Sequence, residues 1–184
     1  MLTSLGIFHC KPHDSAAPAS HDESMPNAVR QTAADATSDP ITVVRARADA
    51  LSRAAIECCR QHDRSAKLSS SHDDPELEHE HLDALCRMCD GSLSEMADAY
   101  EKAAGAAGTV ADEPWWHKAN SLWHASREYA RRHAGCDDMS RKVTAKHDAG
   151  QLASMQMEYE LEASALLALR HAAEAYRKTR PDLK

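Results

Sequence analysis

The chain has one phenylalanine, four tyrosines and three tryptophans in 184 residues. Six glycines and seven prolines are also few, and most fall outside the long periodic segments. No stretch of eighteen apolar residues occurs, so no membrane-spanning helix is expected. No Gly-rich phosphate loop, no G-x-S-x-G and no histidine–aspartate–serine spacing stands out. Nucleotide chemistry and serine hydrolysis therefore have no foothold, and no catalytic residue is assigned. The net charge of −7 argues against a nucleic-acid partner, which needs a basic surface. The N-terminus has a few apolar residues (Leu2, Leu5, Ile7, Phe8) but no basic region before them and no long apolar core, so it makes a poor secretory signal. Six cysteines in a chain of this length do not form a disulfide scaffold. A cytoplasmic protein with reduced thiols is expected.

What is present is helix punctuation. Acidic residues stand directly before proline at Asp39-Pro40, Asp74-Pro75 and Asp112-Glu113-Pro114. Proline suits the first helical position, and an aspartate before it accepts the free amide hydrogens of the first turn. Asp148, with Gln151 three residues on, has the spacing of a capping box. Each start precedes a long apolar-periodic segment. The sequence predicts helices over about 40–67, 75–104, 114–147 and 149–180. Gly105 and Gly108 are expected to stop the second, Gly135 to break or bend the third, and Pro181 to end the fourth. Residues 1–38 lack a sustained period and are expected to be a disordered polar tail. Residues 39–181 form the folded domain.

The predicted fold is an all-α, up-down-up-down four-helix bundle. The seams repeat at steps of three and four. They run Ile41, Val44, Ala48, Leu51, Ala55, Cys58, His62 on the first helix and Leu152, Met155, Tyr159, Glu162, Leu166, Leu169, Ala173, Tyr176 on the fourth. Much of the core is alanine, which predicts a thin, closely packed interior. Charge supports the order of helices. Segment 41–67 carries six basic and three acidic residues, 76–102 two and eight, 115–147 seven and three, and 148–180 four and five. The sign alternates, so sequence neighbours attract, as an up-down-up-down bundle requires.

Three constellations carry the candidate chemistry. The first is Cys58, Cys59, Cys86 and Cys89, with His62 one turn away. A hairpin brings them to one level, and thiolates with an imidazole suit zinc or copper. Buried packing or a thiol-redox role are the other uses of these cysteines. The second is His133 and Glu162, seam positions about fifteen residues either side of the last turn, which are expected to meet. A ferritin-like or hemerythrin-like metal site around them is the sharper alternative to a structural pair, with Glu78-x-x-His81 and His124-x-x-x-Glu128 as further spacings. The third is Trp115, Trp116 and Trp123, expected either as core or as an interaction surface. His9, Cys10 and His13 cluster in the tail. The leading expectation is a helical-bundle protein that acts by binding a protein partner or itself, without nucleic acid, membrane or a default cofactor. The alternatives are zinc or copper binding, thiol redox, and the His133–Glu162 metal site. Enzymatic activity is not expected.

Overall fold

The computed structural model describes residues 39–69, 76–108, 113–143 and 149–182. They form four helices: α1 (Pro40–Ser69), α2 (Glu76–Ala107), α3 (Pro114–Val143) and α4 (Ala149–Lys178). No strand occurs among the described residues, and none of their helices is long and apolar enough to cross a membrane. The predicted tail 1–38, the Asp74 start, the Asp148 box, residues 144–147 and the Glu78 side chain lie outside the described residues.

At α1 the predicted cap is present. Asp39 accepts from the Ile41 amide at 3.4 Å and the Thr42 hydroxyl at 3.4 Å, ahead of Pro40. Helix α2 passes through Gly105 and ends at Gly108, whose φ of 70° is the left-handed C-terminal stop. The alanines around Gly105 offset a glycine cost of about 1 kcal/mol. Gly135 does not break α3, which continues to Val143.

The helices pack as two antiparallel hairpins, α1–α2 and α3–α4, closed against each other into a four-helix bundle. Ion pairs tie the neighbours together: Arg127 of α3 to Glu101 and Asp98 of α2, Arg132 of α3 to Glu158 of α4, and Arg170 of α4 to Asp63 of α1. Each exposed pair contributes only about 0–1 kcal/mol, so this alternation guides topology more than stability.

Alanines at 48, 55, 97, 119 and 173 are fully buried and let the helix backbones approach closely. Tyr100, Tyr129 and Tyr176 supply the bulk, and each hydroxyl has a partner. Tyr176 donates to Asp49 on α1 at 2.6 Å. Three seam expectations fail toward helix ends. Ile41 is 37% exposed at the start of α1, and Leu152 is 40% exposed on α4. Asp49 faces Tyr176 and Cys59 faces Leu166. That register carries Leu152 beyond Ser69, the last residue of α1. Tyr159, nearer that end, is exposed and shares a hydrogen bond with Ser140 on α3 at 2.8 Å.

Candidate functional site

Every helix contributes a histidine or a carboxylate to the interior: His62 from α1, Asp90 from α2, His133 from α3 and Glu162 from α4. Buried polar groups must be satisfied, and these satisfy one another. His133 Nδ1 lies 2.6 Å from Glu162 Oε1, and its Nε2 lies 3.2 Å from Asp90 Oδ2. The imidazole thus bridges two carboxylates on neighbouring helices.

Asp90 is the hub. Its Oδ1 accepts from the Tyr129 hydroxyl at 3.0 Å and from the Cys58 thiol at 3.3 Å, with His62 Nε2 also at 3.3 Å. Tyr129 OH lies 2.7 Å from His62 Nε2. Three donors thus gather on one oxygen. Oδ2 is buried and has no hydrogen bond among the described residues, because His133 approaches off the line a hydrogen bond needs.

The electrostatics follow from burial and these contacts. The hydrogen bond with Glu162 is the main cause that raises His133 to about 9. Burial opposes ionisation of Asp90, yet His62 and the His133 charge hold its carboxyl below the usual range. Partial burial likewise opposes ionisation of Glu162, yet His133 and Cys136 hold its carboxyl below the usual range. Burial, then the Asp90 charge, pushes the Cys58 thiol far up, so it stays protonated and donates. Before His62 is counted, the layer holds two carboxylates and one imidazolium.

Cys58 Sγ, His62 Nε2 and an Asp90 carboxylate oxygen all lie within 4.8 Å of one another. Among the described residues no other group of three such donors is this close. The four-cysteine layer is not assembled. Cys59 Sγ faces the Leu166 carbonyl of α4 at 3.9 Å. Consecutive helical residues point about 100° apart, so Cys58 and Cys59 cannot share the seam. Burial raises Cys86 to about 11, with Asp90 and Asp83 adding to it, and Cys89 feels burial and Glu57. All five described cysteines are free thiols.

His133 and Glu162 meet as the register of their hairpin predicts. The other carboxylate-bundle spacing does not reach the core: His124 is exposed against Trp123, and Glu128 is exposed and paired with Arg131 and Arg132. The tryptophan surface also fails. Trp115 and Trp116 are buried, 5.9 Å apart edge to face, and Arg45 covers Trp115 at 5.0 Å. Trp123 is half-buried against the core. These indoles are the large side chains that an alanine-rich interior needs.

Asp90 and Tyr129 are the members that sequence reasoning missed as chemistry. Tyr129 sits on the three-four period Leu122, Ser126, Tyr129, His133 and was readable only as an aromatic of that seam. Asp90 stands four residues after Cys86, itself four after Leu82, and that spacing is the signal that would have found it.

A cleft of about 280 Å³ opens between α2 and α3. Asp90, Ser94, Tyr129, His133, Asp137 and Arg141 line it. The polar layer is therefore reached from outside on that side. No protein-family model matches the chain, and no curated protein or solved structure matches it.

Proposed function

We propose that this bundle binds one divalent transition-metal ion of the zinc type in its interior, through Cys58, His62 and Asp90. The observation that carries the reading is the convergence of a thiol, an imidazole and a carboxylate from α1 and α2 within 4.8 Å. One sulfur with nitrogen and oxygen suits zinc; copper(I) favours more sulfur, and calcium or magnesium favour oxygen alone. Two further features support it. Asp90 Oδ2 is buried without a hydrogen bond, and the carboxylates of the layer outnumber its imidazolium by one before His62 is counted. A cation meets both needs with His62 as a neutral ligand. Glu162 and Tyr129 then hold the surroundings of the site: Glu162 orients His133, and Tyr129 orients Asp90. Loading must expel the proton of Cys58, so uptake releases acid.

The test is metal content by plasma mass spectrometry on tag-free protein purified without chelator. One equivalent of zinc, lost in Cys58→Ser and His62→Ala but retained in Cys86→Ser, is expected. Metal-free protein that takes up none on addition of zinc refutes the reading.

A second reading is self-association through α4. Leu152, Met157, Tyr159, Leu161 and Leu167, each at least 36% exposed, all lie on that helix. Met157 and Leu161 are one turn apart and share a face. Sedimentation velocity of the wild type and of Met157→Glu/Leu161→Glu tests it: a dimer converted to monomer is expected, and a monomeric wild type at high concentration removes it.

A further inference from the structure

We propose that the metal site takes a small anion, of azide or carboxylate size, as an exchangeable ligand entering through the cleft between α2 and α3. This rests on the metal reading above and says what kind of centre it is: one that exchanges ligands instead of a sealed structural ion.

Cys58 and His62 come from α1 and Asp90 from α2. Structural zinc sites use four protein ligands, whereas centres that handle small molecules use three and leave a position open. Neither α3 nor α4 supplies a donor to the triad, and the cleft lies on the α3 side. There the chain presents the Tyr129 hydroxyl, 3.0 Å from Asp90 Oδ1, and His133 Nε2, 3.2 Å from Asp90 Oδ2. Both groups approach the triad from α3.

Access is the second element. A sealed site would sit in fully buried side chains, yet the side chains of His62, Asp90 and His133 keep 20%, 13% and 27% of their exposure. Asp90 and His133 line the cleft of about 280 Å³ whereas Cys58 and His62 do not, so Asp90 is the member of the donor triad that meets it. At ~30 Å³ per water, such a volume takes several water-sized groups but no large substrate. Arg141 on its wall favours a negative charge, and Asp137 and Asp90 on the same wall limit how much of one.

The experiment uses cobalt(II) in place of zinc and sodium azide as the probe, read by the visible ligand-field bands of cobalt in the full chain. Azide is expected to shift those bands to saturation. Ala134→Trp, at an exposed position on the cleft wall, is expected to keep cobalt uptake and weaken azide binding at least tenfold. Ser94→Phe on the opposite wall is the second plug, should the first variant not fold. No cobalt uptake overturns the metal reading and this inference with it. Cobalt uptake without an azide response overturns this inference alone, since Tyr129 or His133 then fills the open position. An azide response untouched by either folded plug overturns the cleft as the route.

Discussion

Glu162 of α4 and His133 of α3, 29 residues apart in sequence, meet at 2.6 Å inside the bundle, and His133 then reaches on to Asp90 of α2. One imidazole thereby joins the two hairpins. Removing one partner of a buried pair leaves the other uncompensated. Glu162→Ala is expected to cost about 3 kcal/mol in chemical denaturation, by that reasoning. The Glu162→Ala/His133→Ala double variant should cost less than the two singles added, with a coupling of about 1–3 kcal/mol. Strict additivity would show that the contact does not contribute to stability.

The same pair sets a pH window for the metal-free protein. His133 is raised from 6.5 to about 9, so its contribution is complete below pH 6.5 and is lost as pH rises through 9. Asp90 and Glu162 are lowered from 3.8 and 4.5, so theirs is complete above pH 4.5 and is lost on further acidification. Stability should be highest between those limits. It should fall by on the order of 3 kcal/mol toward pH 9, and that part of the loss should vanish in His133→Ala, leaving the further loss above pH 9 that the raised Cys58 and Cys86 thiols add. Urea midpoints across pH 3–10 check both arms.

The cysteines should separate by role. Cys58→Ser removes the sulfur beside Asp90 and should abolish tight zinc uptake. Cys59→Ser, Cys86→Ser and Cys89→Ser should keep it and lose about 1 kcal/mol or so of stability as buried or half-buried thiols are exchanged for hydroxyls. Isothermal titration with zinc on the four variants decides. Equal loss in all four would restore a sulfur-lined site.

Trp115 and Trp116 are core residues. Their emission should be blue-shifted and poorly quenched by acrylamide in the native protein. Trp116→Ala should cost about 3–5 kcal/mol. Red-shifted, readily quenched emission would instead place them on an accessible face.

Much of the fold was legible because backbone rules act locally. The Asp39-Pro40 start, the stop at Gly108 and the three-four seams need only a few neighbours each, and alternating charge chose the order of helices. The His133–Glu162 contact was legible as well, because both residues sit on seams at matched distances from one hairpin turn. The donor triad was not. Its assembly depends on the angular position of Asp90 on α2, and hairpin counting gives height without rotation. Rotation is what sends Cys59 to α4 and leaves Cys58 with Asp90. Gly105 misled for a related reason: local propensity favours a stop, but the surrounding alanines carry the helix one turn further.

The most direct test of the central claim is X-ray absorption at the zinc edge of the loaded protein. One sulfur at about 2.3 Å with two or three nitrogen or oxygen neighbours at about 2.0–2.1 Å is expected, and the sulfur shell should disappear in Cys58→Ser. Two or more sulfurs, or a shell that survives in Cys58→Ser, would contradict the account.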